Sequence, residues 1–233
     1  HKDFIDIDLY YTLGGIREID RYKKARALSK EKTQRAQTYL SSLERVPVIQ
    51  FIGLSGSLAM DSAKENDDID LFIISADRRM WTARFFSIIL AYIMGLKRRR
   101  GTRSDKDKVC LNLFFDGRDV SIPIEKRNAF VGHELLQMKP ISDKNRAYQR
   151  LLHGNRWVLD FFPNARDYYT FGKPGKLSSK SDWLVRKVGD IIEAIFRIAQ
   201  MYFIRKHTTT ERIYPNQLWF FPRDAQDALK GLL

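Results

Sequence analysis

Residues 51–75 read FIGLSGSLAMDSAKENDDIDLFIIS. An apolar run of strand type, residues 48–52, leads into Ser55-Gly56-Ser57, and a second, residues 69–75, closes the stretch. Between them Leu58-Ala59-Met60 offers a brief turn of helix and residues 61–67 a polar loop. Strand, Gly-Ser turn, short helix, loop and strand in that order predict an α/β fold built on a small mixed sheet.

The polar members of this stretch have a shared chemical logic. Gly56 has no side chain, so a phosphate can approach its backbone, while Ser57 adds a hydroxyl at the start of a helical turn. Residues two apart on a strand share a face, so Asp68 and Asp70 project together while Asp67 and Ile69 point the other way. Two convergent carboxylates repel, and a divalent ion resolves the conflict. Magnesium takes a few carboxylates plus phosphate oxygens and water, so the pattern reads as a metal–triphosphate site.

Outward from this stretch the chain divides into three regions. Residues 1–45 form an N-terminal helical arm, whose apolar positions between 16 and 43 lie among many Lys, Arg and Glu, and Pro47 ends it. Residues 46–126 hold the sheet. They continue with a helix over 78–96, then strands over 109–115 and 120–124 joined by Asp116-Gly117-Arg118-Asp119, whose Asp-Gly pair signals a hairpin. Residues 127–233 read as an α-helical region, with helices over 129–138, 143–162 and 182–206 and a Gly/Pro/Ser/Lys-rich loop over 163–181. Trp219-Phe220-Phe221 reads as a plug for a helical core, with base stacking as the alternative.

Composition narrows the class further. The chain has 233 residues, 44% hydrophobic and 30% charged, with 41 Lys and Arg against 28 Asp and Glu, a net charge of +13. That excess favours a polyanionic partner, RNA or nucleotide. Against it, Asp61, Glu65, Asp67, Asp68 and Asp70 form a local acidic pocket. The single cysteine, Cys110, excludes an intramolecular disulfide framework, and four histidines without a second Cys offer no zinc-finger spacing, which predicts a cytoplasmic protein. The most lipid-like run, residues 85–96, is too short to span a bilayer, so no membrane partner is expected. No charged-then-apolar leader opens the sequence, and a start at His1 reads as a tag remnant or an internal boundary.

Gly56-Ser57, a spacer of ten residues and Asp68-x-Asp70, each on its expected element, resemble the palm of the DNA polymerase beta-like nucleotidyltransferase superfamily. The resemblance covers about 25 residues closely and the helix and strands to Glu125 more loosely. It implies a magnesium-dependent transferase in which Asp68 and Asp70 hold two Mg2+ ions and Gly56 and Ser57 grip the phosphates of an NTP. An acceptor hydroxyl then attacks the α-phosphate in line and expels pyrophosphate. The acceptor implied by the charge is RNA, such as a tRNA 3′ end. The alternatives are a protein or small-molecule acceptor, as in toxin–antitoxin and antibiotic-modifying members, or a non-catalytic nucleotide or RNA binder.

The superfamily supplies a third carboxylate from a later strand, and here the polar residue of that strand is Asn112. An amide can ligate or orient a nucleotide but cannot act as a base. Asp116, Asp119 or Glu125 takes over, or two carboxylates suffice, or catalysis is lost; Asn112 as a buried structural residue is an equal reading. Lys144 and Arg150, on a helix after the palm, are candidates for the triphosphate by position, with surface cations as the competing reading. Lys97, Arg98, Arg99, Arg100 and Arg103 are candidates for a nucleic-acid backbone, against a solvated loop at a helix C-terminus.

Overall fold

The computed structural model describes residues 16–97, 106–169, 183–206 and 212–220. They form a mixed α/β structure around a six-stranded sheet. The elements are helices α1 (Ile16–Arg35) and α2 (Gln37–Glu44), strand β1 (Ile49–Leu54), helix α3 (Gly56–Ala59), strand β2 (Ile69–Ser75) and helix α4 (Met80–Ile93). There follow β3 (Val109–Asp116), α5 (Ala129–Gln137), β4 (Lys139–Asp143), α6 (Ala147–Gly154), α7 (Val158–Phe161), α8 (Trp183–Arg205), β5 (Arg212–Tyr214) and β6 (Gln217–Trp219).

The strand order is β4-β1-β2-β3-β6-β5. β2 and β3 run parallel, with α4 as their crossover, and the other pairs are antiparallel. Alternation along β2 sorts the core into two layers. Ile69, Leu71 and Ile73 pack with Tyr39, Leu40 and Leu43 of α2 and Met80 and Ala83 of α4. Phe72 and Ile74 pack on the other face with Val131 and Leu135 of α5 and Leu151 of α6. Asp70 begins this second row, at the end of the strand where its chemistry meets solvent.

Three expectations are corrected. Residues 120–124 are not a strand, because β3 takes β6 as its partner through Leu113↔Trp219 and Phe115↔Gln217. The displaced segment is satisfied by side chains: Asn155 receives the Ile122 N–H and donates to the Val120 carbonyl, and Gln217 donates to the Ser121 carbonyl. Residues 143–162 are not one helix; Lys139–Asp143 pairs with β1 as an edge strand before α6 begins. Consequently residues 127–233 supply three of the six strands, and Trp219 lies in a strand rather than a helical core.

The arm packs through charge as well as apolar contact. Lys32 is completely buried, and its ammonium donates to the Glu65 and Asp67 carbonyls and to Asp107 Oδ1, each at 2.8 Å. Arg35 reaches the other Asp107 oxygen at 2.6 Å. Burial opposes ionisation of Asp107, but the bonds from Lys32 and Arg35 outweigh it and hold the carboxyl below its usual range. That contribution is therefore present above the ordinary carboxylate value and is lost as pH falls through the lowered one. Lys32→Met leaves three oxygens without their donor and should cost about 3–5 kcal/mol in urea unfolding at neutral pH. A loss under about 1 kcal/mol would show that water replaces the ammonium.

Candidate functional site

The site forms where β1 ends and β2 and β3 begin. Ser55 donates its N–H to the Asp70 carbonyl at 3.1 Å, which fixes the turn against the second strand. Gly56 follows with φ +61°, and a Cβ there would stand 2.5 Å from Asp70 Oδ2. Both facts require glycine at this position. Ser57 lies on α3, its carbonyl accepting the Ser62 N–H at 2.9 Å.

The acidic loop separates into structural and convergent members. Asp61 pairs with Lys139 at 2.6 Å, and Glu65 with Lys106 at 2.6 Å. Asp67 closes its own turn by accepting the Lys64 N–H at 2.9 Å. Asp68 and Asp70 remain, half-buried, with one carboxylate oxygen each lying within 4.8 Å of the other and of Cys110 Sγ. Cys110 is the register partner of Asp70 in the parallel β2–β3 pair.

Asn112 joins the same group through a bulge. The register runs Leu71↔Leu111 and then Phe72↔Leu113, so Asn112 is an extra residue on β3 and falls on the face of Asp70. Its amide donates to Asp70 Oδ1, and its own oxygen accepts from the Cys110 thiol. Asn112 is therefore a buried orienting group for Asp70.

The other proposed third carboxylates lie elsewhere. Asp116 is six residues along β3 from Cys110, about 20 Å at strand rise, and accepts from Arg78 N–H and the Arg118 side chain. Asp119 accepts the Ser121 N–H, and Glu125 pairs with the Tyr214 hydroxyl. Lys144 and Arg150 also fall outside the site. The Lys144 ammonium donates to the Glu44 and Val46 carbonyls behind β1, and Arg150 lies against the Gly117 carbonyl at 3.5 Å, at the far end of β3. Lys97 bridges Val109 at this end of the sheet, but it lines a pocket with Val109, Leu111 and Phe85 on the α4 side, the face opposite Asp70 and Cys110. Arg98, Arg99, Arg100 and Arg103 lie outside the described residues.

Three site residues were not singled out from sequence. Cys110 is placed by strand register, for which V-C-L-N-L gave only the shared face of Cys110 and Asn112 as a signal. Lys139 arrives through the edge strand β4, opposite Leu54. Glu134, on α5, accepts the Gly56 N–H at 3.4 Å and a bond from Gln137. Burial pushes its carboxyl above the usual range, against the Gly56 bond that favours ionisation.

No protein-family model, curated protein or solved structure matches this chain.

The raised Glu134 carboxyl has a stability signature. The native state holds its proton more tightly than the unfolded chain, so the contribution is full below the ordinary carboxylate value and fades as pH rises through the raised one. Glu134→Gln should flatten that decline in unfolding free energy measured from about pH 4 to pH 8. An unchanged slope would place the titration elsewhere.

Proposed function

We propose that the protein is a divalent-metal-dependent nucleotidyltransferase that moves a nucleoside monophosphate from an NTP to an acceptor hydroxyl, with RNA as the acceptor. The observation that carries this reading is the meeting of Gly56 and Asp70 at one turn, with Asp68 beside them. Such transfer needs positioning and charge neutralisation more than covalent help from the protein.

The donor set supports a divalent ion. Two convergent carboxylates suit Mg2+, whereas the Cys110 thiol is a soft donor that Mg2+ does not seek. Asp68 and Asp70 would hold the metal, whose chemistry is to neutralise phosphate charge and lower the pKa of a bound hydroxyl. A second ion would draw its remaining ligands from triphosphate and water.

The chain's own groups then have distinct tasks. Asn112 orients Asp70 through its amide. The Gly56-Ser57 turn offers backbone that a phosphate can approach, in competition with Glu134 for the Gly56 N–H. The cations that would meet an acceptor strand are Lys97 and the arginines that follow it in sequence. The transferred hydroxyl proton leaves to water or to Asp68 or Asp70, because no third carboxylate joins them among the described residues.

A specific observation favours a second reading. Cys110 and Asn112 stand where the superfamily's third carboxylate would be expected, which is compatible with a palm that binds nucleotide without turning it over. Incubation with Mg2+, labelled NTPs and total RNA separates the two: label on RNA supports transfer, and NTP binding without label supports the binder. Label on protein would move the acceptor to the protein-modifying class. Asp70→Asn should reduce transfer at least about 1,000-fold while leaving the melting temperature within a few degrees. Full activity in that variant would remove Asp70 from the site.

A further inference from the structure

Helices α4 and α8 leave a gap between them over the start of β3. Their contacts advance together at first: Arg79 pairs with Asp190 at 2.8 Å, Glu193 accepts from the Thr82 N–H at 2.9 Å, and Phe196 stacks on Phe85 with ring centroids 4.0 Å apart. Gln200 ends this fastened stretch, donating to the Trp81 carbonyl at 2.8 Å and accepting from the Arg84 guanidinium at 2.7 Å. Beyond it Ala91 and Ala199 supply only methyl groups, and a cavity of about 480 Å³ is left between the two helices and the sheet. Val188, Ile191, Ile195 and Ile198 of α8 are exposed on its outer side and line none of this cavity.

The lining is apolar and one-sided in charge. Nine of its twelve residues are apolar, among them Ile88 of α4, Val109 and Leu111 of β3 and Ile204 of α8, while the exposed Ile89 and Phe203 mark the mouth. The other three are Arg84, Gln200 and Lys97, so the cavity carries two cations and no acid. Arg84 is already engaged by Gln200 and lies over the Phe220 ring, 4.7 Å from its centroid. Lys97 differs, because it is exposed and no carboxylate among the described residues pairs with its ammonium. The two acids of α8, Asp190 and Glu193, are committed to Arg79 and to the start of α4.

We propose that this cavity binds a single-chain anionic amphiphile, a medium-chain carboxylate taken up as a monomer, with its alkyl chain between α4, α8 and β3 and its head group on Lys97. The volume lies in the range of small-ligand sites, which combine an apolar lining with a few placed polar groups. The apolar walls account for the alkyl chain. One unpaired ammonium neutralises one negative charge, which selects a monoanion, and the two cations together repel an alkylammonium of the same length. A walled cavity of this volume admits one chain and not a bilayer surface. It lies on the face of the sheet opposite Asp70 and Cys110, so its occupant does not overlap the nucleotide site. An acceptor phosphate would draw on the same Lys97 ammonium, so the test is made without RNA.

Isothermal titration of the full chain with decanoate, below the concentration at which it forms micelles, tests the proposal. One decanoate per chain is expected, with decanol at least about 10-fold weaker and decylammonium weaker still. Lys97→Met should lower decanoate affinity about 10-fold and leave that of decanol unchanged, a split that a merely structural lysine would not produce. Ala199→Trp, at an exposed position where the ring can enter the cavity, should weaken decanoate and decanol alike at least about 10-fold with unchanged melting. Absence of decanoate binding, binding confined to anionic phospholipid vesicles, or equal affinity for decanoate and decylammonium overturns the proposal. So does an Ala199→Trp variant that binds decanoate as tightly as the wild-type chain.

Discussion

The buried ammonium of Lys32 is the constraint on which the site depends. It lies at the meeting of α1, the acidic loop and the approach to β3, and it holds the carbonyls of Glu65 and Asp67 together with the Asp107 carboxylate. A buried cation is costly unless each of its protons finds an oxygen, and here all three do. The carbonyl it grips at Asp67 is one residue before Asp68. The arm of the protein, so charged that its helix has little apolar surface to bury, is thereby tied to the loop that delivers the first site carboxylate.

From that anchor the sheet completes the geometry. Asp70 extends the row of Phe72 and Ile74, so the packing that fixes those side chains also fixes the direction of the carboxylate. The bulge at Asn112 turns an amide toward it without disturbing Leu113 and Phe115 further along the same face. Glycine at position 56 lets the turn pass close enough for backbone and carboxylate to touch. A rigid core row, a bulge and a glycine turn each place one group, and none could do so alone.

The sequence was most legible where the signal was local. The residues 69–75 strand, the turn at Gly56 and the shared face of Asp68 and Asp70 follow from alternation and turn chemistry, and they occur as read. Asp116-Gly117 is a turn, as its composition indicates, but the strand expected beyond it is absent. The Asp-Gly signal says that the chain reverses; it does not say which segment wins the free edge of β3. That edge went to residues about a hundred positions away in sequence, Gln217–Trp219, while Asn155 satisfied the displaced backbone. Lys144 and Arg150 were placed by order along the chain, and order carries no information about which end of the sheet a loop returns to.

The sequence by itself determined an α/β chain with a glycine-serine turn, two carboxylates on one strand face and an excess of positive charge, because these are properties of neighbours and of composition. Only the tertiary structure decided which of the five acidic residues converge, since Lys139, Lys106 and the Asp67 turn withdraw the other three. It also decided that Cys110 completes the group and that α8 turns an apolar stripe outward. The physical reason is the same in each case: strand register and helix docking join residues through long-range pairing, whose energy lies in contacts that no local pattern encodes.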